Sequence, residues 1–253
     1  MSKIHFYEKG EGQALVFLHG FCETSEMWQP FAEKFSKNFR VICPDLPGFG
    51  ESPLESEHLS LEETAVLLEE WMEENGIESP FIIGHSLGGY IALAILELMG
   101  RQIKGIALIH STSFADDEEK KLTRNKTIQF IKKQGLENFV TTFVPQLFTP
   151  GTRDIFKEEI ELAVKQAKRS SLKALISYSE TMRDRKSRFV VLKEYSGPKL
   201  LIAGTEDGAV KIASSRLQKG VFSQYYELEG VGHMGQVERE KELIEILSKF
   251  IQD

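Results

Sequence analysis

Phe81-Ile82-Ile83-Gly84-His85-Ser86-Leu87-Gly88-Gly89 is the stretch on which the fold turns. Its apolar start reads as a strand buried on both faces. It runs directly into Gly84-His85-Ser86-Leu87-Gly88, a G-x-S-x-G pattern, and then into a helix reaching about Met99 and stopped by Gly100. A strand that reverses at once into a helix holds its turn residue in a strained backbone conformation. Glycines two positions away on either side let strand and helix approach without Cβ clashes. The serine oxygen then stands above the sheet at a helix N-terminus, whose partial positive charge favours developing anions. The pattern alone is common by chance, and the competing reading is a mere Gly-rich turn. Strand before and helix after are what make it informative.

Outward from this segment, strand and helix alternate, the mark of a mostly parallel sheet with helices on both faces. Strands are predicted at Lys3–Glu8, Ala14–Leu18, Phe39–Cys43, Gly105–Ile109, Lys199–Ala203 and Tyr225–Leu228. Helical spacing marks Trp28–Phe35 and Val237–Ile251. It also marks Leu59–Asn75, where Ser60 and Glu63 form an N-cap pair and Gly76 a stop. Residues 112–195 break the rhythm. They show helical periodicity at Lys120–Lys133, Leu136–Phe148, Arg153–Lys168 and Leu172–Met182 and offer no buried strand. That segment carries 17 Lys+Arg against 12 Asp+Glu, net +5, whereas the remainder is net −12. The division expected is a core of 1–111 and 196–253, with 112–195 as an all-helical lid over one sheet edge.

The 253 residues suffice for a core without metal or disulfide staples. A charged fraction of 27% and an aromatic fraction of 10% exclude wholesale disorder. The net charge of −7 argues against nucleic acid as a partner. No apolar run reaches the roughly 18 residues a bilayer span requires, so no membrane partner is expected. Met1-Ser2-Lys3-Ile4-His5 opens no signal-peptide apolar region, and a cytoplasmic location is expected. Cys22 and Cys43 are then free thiols, and their spacing makes no metal site.

A serine hydroxyl at neutral pH is a weak nucleophile. It needs a base within hydrogen-bond reach, and the base needs an orienting carboxylate. Gly204-Thr205-Glu206-Asp207 follows one late strand, and Gly230-Val231-Gly232-His233 follows the next. Both lie at C-terminal strand ends, the rim that carries Ser86 and on which open α/β sheets bind ligands. Of six histidines, His5 lies in an edge strand and His58 in a polar loop. His19 and His85 come early and are read as ordering their loops, and His110 as a supporting or packed group. His233 has the expected order and flanking glycines at 232 and 235. Asp207 is the carboxylate chosen, with its neighbour Glu206, or Asp116 or Asp117, as alternatives. An oxyanion hole follows from the backbone N–H of Leu87 and that of Phe21 in His19-Gly20-Phe21, with a plain strand-ending turn as the other reading.

Together these residues resemble the α/β-hydrolase fold superfamily, of the single-domain type with a helical cap. The resemblance covers nearly the whole chain. It rests also on Asp45-Leu46-Pro47-Gly48-Phe49-Gly50-Glu51-Ser52, a loop that in the family is structural and braces the turn beside the active site. It implies a serine hydrolase using Ser86, Asp207 and His233 on small to medium carboxylic esters, or on lactones or thioesters, without metal or organic cofactor. Serine at the nucleophile position separates the chain from epoxide hydrolases and haloalkane dehalogenases. His19-Gly20-Phe21 separates it from esterases with a Gly-rich oxyanion loop, and nothing in the insert resembles the large lid of a triglyceride lipase. The partner expected is a small-molecule substrate. Trp28, Phe21, Met234, Phe114, Phe143 and Phe148 are candidate walls of an apolar acyl pocket, with core packing as their bland alternative. Two other functions stay open: a lyase or C–C bond hydrolase clamping an anionic substrate with the basic insert, and a non-catalytic ligand-binding member of the fold. The sequence is silent on oligomeric state.

Overall fold

Strands that are apolar on both faces must be covered on both faces, and the topology follows from that requirement. The computed structural model describes residues 3–252; Met1 and Ser2, which open the stretch read as lacking an apolar leader, lie outside them. Among the described residues, β1 (Phe6–Lys9), β2 (Ala14–Leu18), β3 (Arg40–Pro44), β4 (Phe81–His85), β5 (Gly105–Ile109), β6 (Lys199–Gly204) and β7 (Gln224–Leu228) form one sheet. Their order is β1-β3-β2-β4-β5-β6-β7. Only the edge strand β1 is antiparallel, to β3. The central strands β2, β4 and β5 are buried along their whole length.

Alternate strand residues feed two apolar layers. Val16, Ile82, Leu108 and Leu201 meet Leu68, Trp71, Ile91 and Ile95 of α2 (Leu61–Glu74) and α3 (Leu87–Met99). Leu15, Phe17, Ile83 and Ile202 meet Phe31 and Phe35 of α1 (Gln29–Phe35), and Leu243, Leu247 and Phe250 of the last helix, Glu240–Gln252. The α2 start is the capping box read in the sequence: Ser60 Oγ accepts from the Glu63 amide, and Glu63 accepts from the Ser60 amide. No helix among the described residues is long and apolar enough to cross a membrane.

Between β5 and β6 the chain forms α4 (Glu118–Phe143), α5 (Lys157–Ala167), α6 (Leu172–Asp184) and α7 (Phe189–Glu194). A 3-10 turn at Val144–Leu147 follows α4, and α4 packs along α6. The two helices expected on either side of residues 134–135 are both present within α4, separated by a kink at Gly135 (φ 77°, ψ 174°), a conformation that glycine alone reaches cheaply. The second ends at Phe143 rather than Phe148, because Pro145 has no N–H to extend the ladder. α7 and α8 (Ile212–Gln218) were not foreseen, being six and seven residues long, too short to display a period. The closing helix is split into α9 (Gly235–Glu238) and α10 (Glu240–Gln252) by the non-helical Arg239.

Candidate active site

Ser86 has φ 49° and ψ −111°, a region a serine enters only when its surroundings impose it, at a cost of ~1–3 kcal/mol. The glycines around it explain how. A Cβ on Gly84 would lie 2.4 Å from the Gly88 carbonyl, and one on Gly88 would lie 2.3 Å from the Leu18 carbonyl oxygen. Strand, turn and helix are therefore in backbone contact. The turn is pinned by the Ser86 amide donating to the Ile109 carbonyl (2.9 Å) and by Ser111 Oγ donating to the Ser86 carbonyl (2.9 Å).

His233 Nε2 lies 2.8 Å from Ser86 Oγ, and His233 Nδ1 lies 2.8 Å from Asp207 Oδ2. Asp207 sits in the loop after β6, and His233 in the loop between β7 and α9. The other Asp207 oxygen accepts from the Ala209 and Val210 amides, each at 2.8 Å. Burial works to raise the Asp207 pKa, but His233 and His110 overcome it and hold the carboxyl well below its ordinary range. Asp207 thus remains an anion, which fixes Nδ1 of His233 as a donor and Nε2 as the atom facing serine. The His233 amide donates to the Leu147 carbonyl (2.8 Å), joining this loop to the 3-10 turn after α4. Asp116 pairs instead with Arg124 and Arg185, and does not meet His233.

Three further histidines surround this chain of bonds. His110, at φ 48°, places Nδ1 3.1 Å from Asp207 Oδ2. Burial lowers its pKa against the pull of Asp207, so it is a neutral donor whose buried Nε2 has no hydrogen-bond partner among the described residues. His19 accepts from the Leu46 amide (2.9 Å) and faces the Gly20 carbonyl (2.8 Å), so it too is neutral, with its pKa lowered by burial. His85 is different. Its Nδ1 faces Glu23 Oε2 (2.9 Å) and its Nε2 faces the His233 carbonyl (2.9 Å). Both partners are acceptors, so both ring nitrogens must carry hydrogen and the ring is an imidazolium. Burial opposes that charge, but Glu23 outweighs it and raises the His85 pKa. Glu23 also accepts from the Gly20 amide (2.5 Å). One buried ion pair therefore links the His19-Gly20-Phe21 loop to the loop of His233. Sequence reading missed Glu23. Its acid character two residues beyond Phe21, opposite two early histidines, was the available signal.

The glycines flanking His233 serve close approach rather than flexibility. A Cβ on Gly235 would lie 2.2 Å from His110 Nε2, and one on Gly232 2.9 Å from Glu238 Oε1. In the Asp45 loop, Asp45 accepts from the Ser25 (2.7 Å) and Glu51 (3.0 Å) amides, a bracing arrangement.

A cavity of about 390 Å³ opens over Ser86 and His233. Phe21, Tyr90, Phe143, Leu147 and Met182 give it apolar walls, and Lys120, Thr123, Arg124 and Thr127 of α4 close one side. The expected wall residues need correction. Trp28 is wholly buried between Phe17 and Phe31, with centroids 5.1 Å from each, in the layer formed with α1 and α10. Met234 and Phe148 pack with Leu147 and Ile160 beside the cavity without lining it. Phe114 stacks on Phe189 instead (5.3 Å). In each case apolar character served packing. A larger groove of about 580 Å³ along α2 contains none of the sequence-predicted site residues.

The fold and this rim define a class. Residues 13–240 match the sequence model of the alpha/beta hydrolase fold family, and the chain belongs to that family. Among individual proteins, the chain is similar to Lipase 1 of Psychrobacter immobilis, 25% identical over 252 residues, covering 93% of this chain and 76% of that one. It is also similar to the (E)-2-((N-methylformamido)methylene)succinate hydrolase of Acinetobacter baylyi, 30% identical over 106 residues, 42% of this chain. That match spans 40% of the relative's length, and a further curated relative is spanned over only 31%. A thermophilic esterase from Thermogutta terrifontis superposes with a TM-score of 0.91 at 23% identity, covering 98% of this chain and 93% of that one. At that identity the superposition speaks for the fold.

Proposed function

We propose that the protein hydrolyses small to medium carboxylic esters through an acyl-enzyme on Ser86, with lactones and thioesters as variants of the same acyl chemistry. The observation that carries this reading is the unbroken run of hydrogen bonds from Ser86 Oγ through the His233 ring to Asp207, with 2.8 Å at each link. His233 Nε2 takes the serine proton as Oγ attacks the ester carbonyl. Asp207 holds the tautomer and stabilises the imidazolium that forms. The tetrahedral oxyanion is received by the Phe21 and Leu87 amides, neither of which donates to another group among the described residues. Collapse breaks the bond to the alcohol, which leaves with the proton from His233. Water, deprotonated by the same ring, then attacks the acyl-enzyme and releases acid and free serine. A panel of 4-nitrophenyl esters, lactones and thioesters tests this. Turnover of at least one acyl class, abolished by Ser86→Ala, supports it; Ser86→Ala retaining wild-type turnover overturns it.

A further inference from the structure

An acyl pocket for plain aliphatic esters would be apolar all round, and this cavity is not. Lys120, Thr123, Arg124 and Thr127 follow the i, i+3, i+4, i+7 spacing of one helix face, and that face of α4 lines the cavity. Charged residues elsewhere on α4, such as Lys121 and Lys132, instead reach the surface carboxylates Glu118 and Glu180. Lys120 Nζ donates to the neutral Ala209 carbonyl and forms no salt bridge with a carboxylate among the described residues. Arg124 Nε shares Asp116 with Arg185: Asp116 Oδ2 is 3.2 Å from Arg124, and Oδ1 is 2.6 Å from Arg185 Nη1. One buried carboxylate thus serves two guanidinium groups. Arg185 also lies over the ring of Tyr90, a cavity wall, with its guanidinium carbon 4.0 Å from the centroid. Glu23 is the only carboxylate among the described lining residues, and it is already paired with the His85 imidazolium. Asp207 lies behind His233, 1% exposed, and does not line the cavity.

From this imbalance we infer that the site takes anionic substrates: esters, lactones or thioesters carrying a carboxylate, seated on Arg124 and Lys120 while the scissile carbonyl lies at Ser86. The inference rests on the acyl-transfer reading above and narrows its substrate class. Thr123 Oγ1 and Thr127 Oγ1 already donate to the carbonyls of Glu119 and Thr123 (both 3.1 Å), so Arg124 and Lys120 are the charged donors this face offers a carboxylate. A guanidinium and an ammonium converging on one carboxylate make charge-assisted hydrogen bonds, roughly twice as strong as neutral ones.

The test compares 4-nitrophenyl hexanoate with mono-4-nitrophenyl adipate, which differ in a terminal carboxylate, on wild type, Arg124→Gln and Lys120→Gln. A second pair carries the carboxylate on the alcohol side. For at least one pair, kcat/KM of wild type should favour the anion about tenfold or more, and 0.5 M KCl should erode that preference. Each variant should lower the anionic-to-neutral ratio several-fold, and Arg124→Lys should restore part of it. Because Arg124 also braces Asp116, the ratio is read only on variants whose thermal unfolding stays cooperative; Lys120→Gln supplies the test should Arg124→Gln not fold. A wild-type ratio near or below one for both pairs, or ratios unmoved by every folded variant, overturns the proposal. Should wild type turn over no ester, the acyl-transfer reading has failed, and adipate binding by calorimetry decides the subsite. Binding that weakens in Lys120→Gln sustains it, and no binding by wild type overturns it.

Discussion

The strand-end rim and the α4 wall face each other across one cavity and are built on opposite plans. On the rim every functional side chain is over-determined. Asp207 meets four donors, His85 two acceptors, and Ser86 sits on a turn where three backbone segments touch. On the wall, the side chains of Lys120 and Arg124 each have a single hydrogen-bond partner among the described residues, and Thr123 is exposed. Close backbone approach fixes the first region, so it can hold a reacting geometry. The second stands on one face of α4, outside the sheet, where Arg124 also braces Asp116. Chemistry placed on the rim and selectivity placed on the wall is the division of labour this contrast suggests.

The sharpest break in the comparison comes from the rim's reacting atoms. Ser86→Ala or His233→Ala should lower kcat by about 10⁴-fold or more, read as steady-state ester hydrolysis on folded protein. Glycines separate the rim from the rest of the segment between β5 and β6 next. Gly235→Ala drives a Cβ to 2.2 Å from His110 Nε2, whereas Gly151, between the 3-10 turn and α5, has nothing within 4 Å. Gly235→Ala should therefore lose about 1–3 kcal/mol in denaturant unfolding, with Gly151→Ala close to neutral.

The Glu23–His85 pair should report on positioning rather than chemistry. Both bonds end on Glu23 Oε2, so the amide oxygen of Glu23→Gln can still accept from Gly20 and His85 but removes the charge that favours the imidazolium, and kcat should fall about tenfold with KM little changed. Glu23→Ala frees both loops and should approach a hundredfold. An effect on KM alone would show the pair to be a binding wall instead. The smallest expected effect is on pH dependence. His110 is neutral when folded, with its pKa lowered by burial, so the unfolded chain binds more protons once pH drops below about 6.5. Its contribution is whole above that pH and is lost as pH falls. The decline in Tm between pH 7 and pH 5 should shrink in His110→Gln.

Much of the rim was readable because its demands are local. A G-x-S-x-G between strand and helix patterns, an aspartate after β6 and a histidine after β7 each follow from one strand end. The mostly parallel sheet with helices on both faces followed from apolar strands alternating with helical segments; the strand order came only with the structure. What escaped depends on tertiary contact. Glu23 acquires meaning only when β2 and β4 lie side by side and bring it onto His85. Trp28, Met234 and Phe148 illustrate the reverse error: an aromatic or sulfur side chain near a motif has the same pattern whether it fills a core or lines a cavity. The basic residues of α4 were equally ambiguous as sequence. Only the backbone separates Lys120 and Arg124, on the cavity, from Lys121 and Lys132, on the surface.

The account stands most directly on whether Ser86 is an activated nucleophile. Fluorophosphonate labelling with peptide mapping, on wild type and His233→Ala, measures this. Modification confined to the peptide containing Ser86, and lost in His233→Ala, is the result expected. Well-folded wild type that stays unlabelled, or label on a different serine, would contradict the acyl-enzyme reading and leave the cavity a ligand-binding site.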